Sequence, residues 1–232
     1  ADKPPAPERP FREAAETPPE SLRVAVSLEG TRALAPPMLD PRCRAAVEET
    51  ADLLAGLGHR VSRRDPDWGT VGNGVAVFYV TGVAEEAAEM PHRERLGRQV
   101  RGIARLGGLV PRWAVQKAKE AIPKHARRLN AIFDQADVLL LPVIGEPPVP
   151  VAKWGSRGGP WTMSGMTRRT GFAPPWNYVG NPAASVPAGF TDDGLPLSVQ
   201  LVGRPNDEAT LLSLAAQIEA ERPWTNRRPP LA

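Results

Sequence analysis

Leu22-Arg23-Val24-Ala25-Val26-Ser27 is a short β-branched run suited to a strand, and the elements next along the chain decide the fold. After a loop, Asp40 is placed to cap a helix that opens on Pro41. Cys43, Val47, Ala51, Leu54 and Leu57 then recur at helical spacing until Gly58 supplies a stop. His59-Arg60-Val61-Ser62 starts a second strand. Strand, helix, strand in this order predicts parallel pairing and an α/β fold.

Outward from that unit the pattern stays coherent. Residues 75 to 135 read as a helical layer broken at Pro91, Gly107-Gly108, Pro111 and Pro123, with a last helix from about His125 to Gln135. Asp137-Val138-Leu139-Leu140-Leu141, bounded by Pro142, is the continuous apolar run of a strand buried on both faces at the centre of a sheet. From Pro142 to Trp176 proline, glycine, tryptophan and polar residues predominate, and no element is predicted there. Ala184-Ser185-Val186-Pro187 and Leu197-Ser198-Val199-Gln200-Leu201-Val202, joined through Thr191-Asp192-Asp193-Gly194, read as a strand pair. A closing helix is capped near Asn206 or Asp207 and runs through Leu211, Leu214, Ala215 and Ile218 to Glu221, before Pro223. Residues 1 to 20 are proline-rich and charged, the composition of an extended interdomain linker, so residues 21 to 232 are expected to hold the folded portion.

The bulk composition excludes several classes. At 232 residues, 41% apolar and 24% charged, the chain is long enough to bury a core, and its 27 prolines and 21 glycines make it loop-rich rather than low-complexity. The net charge is +3, and the arginine pairs Arg63-Arg64, Arg127-Arg128, Arg168-Arg169 and Arg227-Arg228 are scattered, which argues against nucleic-acid binding. Cys43 is the only cysteine, so no intrachain disulfide can form and a cytoplasmic location is the expectation. No run approaches the apolar length of a membrane span.

A hydrolytic serine needs a base for its proton and donors for the developing oxyanion. Neither Gly-x-Ser-x-Gly nor Gly-Ser-Ser-Gly-Gly is present; the nearest approaches, Ser156-Arg157-Gly158-Gly159 and Ser164-Gly165, lie in the stretch without elements and are explained by loop flexibility. His59, His92 and His125 offer no metal-ligand spacing, so no metal site and no cofactor are expected. Gly72-Asn73-Gly74 fails the dinucleotide fingerprint, since Val77 occupies the third glycine position.

The most specific local feature is Phe172-Ala173-Pro174-Pro175-Trp176-Asn177-Tyr178-Val179-Gly180-Asn181-Pro182-Ala183-Ala184-Ser185-Val186-Pro187-Ala188-Gly189, followed by Gly194-Leu195-Pro196-Leu197-Ser198-Val199-Gln200-Leu201-Val202-Gly203. It resembles the amidase-signature family pattern Phe-Thr-x-Pro-x-Asn-x-x-Gly-x-Pro-Ala-x-Ser-Val-Pro-x-Gly, then Gly-Leu-Pro-x-x-x-Gln-Leu-x-Gly. The upstream Asp137 to Pro142 strand and the end at Pro223-Trp224 are similar too, so the resemblance runs from about residue 22 to 230. Glycine and proline in this stretch also fix turns around buried strands.

The resemblance implies a mixed central β-sheet flanked by helices, and amide hydrolysis by a Ser-cisSer-Lys triad that lies before a linker like residues 1 to 20. No position here matches any of the three, so this chain is expected to be catalytically inert alone and to complete an N-terminal catalytic half of the same enzyme. It also implies a pocket-wall role for Thr170, Phe172, Trp176 and Asn177, toward a small-molecule amide. In glutamine-handling members an acidic residue seven positions before the asparagine pairs with the substrate ammonium. Thr170 stands there, which implies a neutral aryl or alkyl amide. Trp154 and Trp161 join Phe172 and Trp176 as candidates for an apolar wall or for core packing. Two alternatives stay open: a non-catalytic accessory subunit completing a partner chain, and a self-contained hydrolase with another Ser/His set. The apolar strands at Asp137 to Leu141 and Ala184 to Pro187 are expected to expose edges that favour association, a homodimer included.

Overall fold

The computed structural model describes residues 6–7, 9–33, 35–150 and 158–224. One sheet organises them. Its strands are β1 (Arg23–Val26), β2 (Arg60–Arg63), β3 (Val138–Pro142), β4 (Ala183–Phe190) and β5 (Pro196–Val202), in the order β2-β1-β3-β5-β4. β1 runs parallel to both neighbours, with Val24 opposite Val61 and Ala25 opposite Leu139. β3 to β5 and β5 to β4 are antiparallel, with a register shift between Pro187 and Gly189. The predicted mixed sheet is therefore present, and β3 is its middle strand, every residue of it buried. The expectation of exposed edges fails for β3, which is paired on both sides; it holds for β4, the last strand.

Alternation along the strands sorts the core onto two faces. Val24, Val26, Val138, Leu140, Val199 and Leu201 point to one, where α2 (Pro41–Gly56) and α8 (Glu208–Glu221) cover them with Val47, Leu54, Leu214 and Ile218. Both helices start as predicted. Asp40 accepts the Arg42 amide at 2.9 Å ahead of Pro41, and the Asp207 carboxylate accepts from the Thr210 amide. Gly58, at φ 91°, turns the chain out of α2 into β2.

Ala25, Leu139, Leu141 and Val202 point to the other face, under α3 (Val71–Glu89), α5 (Arg112–Asn130), the 3-10 turn Ala131–Asp134 and α7 (Pro174–Val179). α4 (Arg98–Gly108) lies on α3, where Gly107 meets the Val80 carbonyl too closely for any Cβ. One helical boundary differs from the expectation. α5 continues through Pro123, whose N–H is lost at an exposed turn, so the helix ends at Asn130 instead of beginning near His125.

The stretch from Pro142 to Trp176 is not free of elements: it holds α6 (Gly159–Arg169) and the start of α7. The glycines that suggested a loop serve packing. Gly159 touches Gly102 backbone to backbone, so α6 crosses α4 without side chains between them. Likewise Phe11–Glu16 forms α1 where an extended segment is predicted. Its Ala14 is buried, and Ser213 of α8 donates its hydroxyl to the Thr17 carbonyl.

Candidate substrate pocket

In open α/β sheets, ligands bind outside the carboxyl ends of parallel strands, where connections leave neighbouring strands toward opposite faces. β1 and β3 meet that condition. The chain leaving β1 goes to α2 on the aliphatic face, and the chain leaving β3 goes to α6 and α7 on the other.

Backbone bonds tie the two exits together. The Thr31 amide donates to Gly171 O at 2.9 Å, Met38 to Arg168 O at 2.7 Å, Gly145 to Arg169 O at 2.7 Å and Asp40 to Gly145 O at 2.7 Å. Gly145 is required there, because a Cβ would overlap the Met38 carbonyl. Arg169 and Glu146 form a buried ion pair across the same junction, and a second Arg169 nitrogen donates to Gly165 O at 2.8 Å. Burial lowers the Arg169 pKa from its ordinary value, and the carboxylate of Glu146 answers its charge.

A cavity of about 170 Å³ opens beside this junction, lined by Val75, Ala76 and Tyr79 of α3, Met163, Met166 and Thr167 of α6, and Thr170, Ala33 and Pro174. No lining residue carries a charge at neutral pH. The Thr170 hydroxyl donates to Met166 O at 3.0 Å and the Thr167 hydroxyl to Ser164 O at 3.2 Å, so both protons are spent inside the helix. A larger groove, about 710 Å³, lies at the other end of the sheet between residues around Phe11 and the turn into α8. Its Arg204 is bound to Phe133 O, Ala136 O and Asp137, and its Asp207 caps α8, so these two groups serve the structure.

Of the predicted pocket residues, Thr170 lines the cavity. Phe172 and Trp176 are fully buried in the core and do not line it: Trp176 meets Trp68 edge-on at 5.7 Å and Phe133 at 6.5 Å. Asn177 is exposed on α7, and Trp161 is 47% exposed on α6. Trp154, Ser156 and Arg157 lie outside the described residues. The structure thus separates the four residues into one lining, two in the core and one on the surface. Sequence reasoning missed Met163, Met166 and Thr167. With Thr170 they stand at i, i+3, i+4 and i+7, a helical period hidden by the surrounding Gly158-Gly159-Pro160 and Gly165.

The turn after α7 has a structural task. Gly180 closes α7 at φ 83°, and the Asn181 amide side chain donates to Asn130 Oδ1 at 2.7 Å and Gly203 O at 2.8 Å, fastening α5 to both strands of the hairpin. Gly72 and Gly74 of α3 face the Arg32 carbonyl and the Tyr178 hydroxyl at distances that leave no room for a Cβ. Among the described residues no group of three or more His, Cys, Asp or Glu is arranged to hold a metal, and no helix is long and apolar enough to cross a membrane.

The fold and the cavity define a class: a mixed α/β protein with an uncharged pocket at the carboxyl ends of its parallel strands. Comparison with known proteins narrows it. The family model described as Amidase matches residues 1–212. The protein AmiB2 of Mycobacterium tuberculosis is 42% identical over 233 aligned positions, covering 97% of this chain and 49% of that protein. The 6-aminohexanoate-cyclic-dimer hydrolase of Pseudomonas sp. is 30% identical over 260 aligned positions, covering 98% of this chain and 49% of the relative. A solved 6-aminohexanoate cyclic dimer hydrolase superposes with a TM-score of 0.82 at 26% identity, covering 97% of this chain and 50% of that one. A bacterial aryl acylamidase shares the fold, with a TM-score of 0.73 at 18% identity. The chain belongs to the amidase-signature family, and it spans about half the length of the curated relatives it matches.

Proposed function

We propose that this chain is the C-terminal part of an amidase that hydrolyses a neutral carboxylic amide to an acid plus ammonia or an amine. In this reading the Ser-cisSer-Lys set belongs to the half of the enzyme outside the chain. Its serine oxygen adds to the amide carbon, the nitrogen leaves with a proton, and water then cleaves the acyl-enzyme. This chain supplies scaffold and pocket wall.

The observation that carries the reading is the Phe172 to Gly203 motif folded as α7 and the β4–β5 hairpin, in a chain half as long as its relatives. The outer edge of β4, unpaired among the described residues, is a natural place for a catalytic half to extend the sheet. Lys117, Lys119 and Lys124 are carried on α5, and Ser164 is exposed on α6 off the cavity lining, which supports a catalytic set elsewhere. The uncharged Thr170 and the uncharged wall around it support a neutral amide. A cytoplasmic location rests on the unpaired, buried Cys43, whose thiol burial pushes up to about 11.

The test compares the 232-residue chain with the same chain joined to its catalytic half, using benzamide and glutamine as substrates. The expected result is no turnover by the chain alone, and turnover by the complete protein that favours benzamide and is abolished by a fluorophosphonate. A clear preference for glutamine sinks the neutral-amide reading. Turnover by the chain alone, untouched by serine-directed reagents, sinks the division of labour. Thr170→Asp places a carboxylate in the pocket; it is expected to lower benzamide turnover at least tenfold and to raise relative activity on amides bearing an ammonium group.

A further inference from the structure

Away from the pocket, α4 and α3 frame a groove that carries one sign of charge. Where Gly107 brings α4 against Val80 and Ala84 the two helices touch; beside that contact lies a cavity of about 380 Å³, within the size range of small-molecule sites. Ala84, Ala87 and Ala88 of α3 fall at i, i+3 and i+4, and with Ala104 of α4 they give the groove an apolar floor. Arg93, Arg101 and Arg105 complete its polar lining.

The protein does not answer that charge. Arg93 donates to the Ala88 carbonyl, and Arg101 donates to the carbonyls of Leu96 and, at 3.2 Å, Glu94, so uncharged backbone oxygens hold both guanidiniums in place. Among the described residues no carboxylate lies within ion-pair distance of Arg93, Arg101 or Arg105. Glu85, Glu86 and Glu89 of α3, together with Glu94, are exposed and outside the lining. Residues 95 to 119 add Arg95, Arg98, Arg112, Lys117 and Lys119 and hold no aspartate or glutamate, so nothing along α4 offsets the field.

We propose that this groove binds an amphipathic organic anion, a carboxylate with an alkyl tail, its head on Arg101 and Arg105 and its tail on the alanine floor. The planar arginine fork takes both oxygens of a carboxylate and is weakly hydrated, so it exchanges water for the anion at low cost. The alanines remove the tail from water, a gain that a bare inorganic anion does not offer. The groove shares no lining residue with the cavity beside Thr170, since α3 gives Val75, Ala76 and Tyr79 to one and its Ala84, Ala87 and Ala88 to the other. Such an acid is the class of product released from an alkyl amide. That link rests on the amidase reading above, whereas the ligand chemistry does not.

The test is calorimetric titration of the 232-residue chain, and of the chain joined to its catalytic half, with octanoate, octanol and octylammonium. One saturable octanoate site is expected in both proteins, about tenfold tighter than octanol and weakened by added salt, with no site for octylammonium. Arg105→Gln is expected to weaken octanoate about tenfold, while Arg98→Gln, exposed on the same helix but outside the groove, leaves it within about twofold. Both side chains are exposed, so circular dichroism of the two variants is expected to match that of the unaltered protein.

Equal affinity for octanol and octanoate overturns the proposal, because the surface is then merely apolar. Equal losses in Arg98→Gln and Arg105→Gln overturn it as well, because the field is then diffuse. Binding by the chain alone and not by the complete protein makes the groove a contact for the other half and also defeats it. Vesicles of phosphatidylcholine and phosphatidylserine supply the last arm: capture by them without saturable octanoate binding assigns the arginines to a lipid surface and overturns the site. Failure here is separable from failure of the amidase reading. A complete protein that cleaves no amide yet binds octanoate keeps the groove and loses the activity, and an amidase that ignores octanoate does the reverse.

Discussion

The two faces of the sheet are built from different materials. The side under α2 and α8 is sealed with valine, leucine, isoleucine and alanine, and no aromatic residue is among its fully buried members. The opposite side holds Phe133, Phe172 and Trp176, with Trp68 and Tyr178 packed against them. It also holds polar atoms that are buried without a partner among the described residues, including Trp176 Nε1, Thr31 Oγ1 and, by strand alternation, Gln200 Oε1. Each such atom costs about 1–3 kcal/mol, a penalty the aliphatic side avoids. The difference teaches that both sides fill space and that the aromatic side also sets shape. Aliphatic chains fill space in any of several ways, while flat rings set the distance and tilt of the helices that frame the pocket.

The hardest test of this contrast is Trp176→Ala. Removing the ring that α7 packs between Trp68 and Phe133 is expected to cost about 4 kcal/mol in urea unfolding and to lower benzamide turnover by the complete protein at least tenfold. Leu54→Ala, on the aliphatic side, is expected to cost about 3 kcal/mol and to leave benzamide turnover by the complete protein within twofold. If both substitutions impair the pocket alike, the faces do not divide the work.

A smaller effect sharpens the comparison at the sheet's far end. Asp137 receives the Arg23 amide at 2.9 Å, its guanidinium at 2.7 Å, and Arg204 at 3.1 Å. Bonding to Arg23, then to Arg204, holds its carboxyl well below the usual carboxylate range despite partial burial. The folded pKa is depressed, so this stabilisation is fully present above the ordinary value of 3.8 and is lost as pH falls toward the folded one. Asp137→Ala is expected to cost about 2 kcal/mol at pH 7. A pH series of unfolding midpoints should show the difference between the two proteins narrowing steadily below pH 4. The smallest effect belongs to Asp207→Ala, which removes one helix cap: about 1 kcal/mol, with the pocket untouched.

The same division explains what could be read in advance. The α2 helix, the buried β3 strand and the capped α8 helix were legible because their aliphatic residues keep one period and their ends carry Asp40-Pro41, Gly58 and Asp207. α6 was not, since its Met163, Met166, Thr167 and Thr170 stripe is weakly apolar and its first turn carries Gly159 and Pro160 for contact with Gly102. Tertiary packing overrides local propensity there. α5 was cut short for the converse reason: Pro123 falls on a turn that tolerates the missing N–H. Thr170 could be located by counting back from Asn177 along the motif, but its neighbours in the pocket come from α3, nearly a hundred residues earlier, and no periodicity links the two.

The Arg23–Asp137 bond spans 114 residues, and the parallel pairing of β1 with β3 spans as many. The β4–β5 hairpin closes over a four-residue turn by contrast, at Thr191 to Gly194. Loop-closure entropy makes the hairpin the fast step and the central pairing the slow one. Folding of this chain should therefore be paced by the arrival of β1 beside β3. Weakening Asp137 is then expected to show chiefly as slower folding, because the contact it makes belongs to the step that sets the rate.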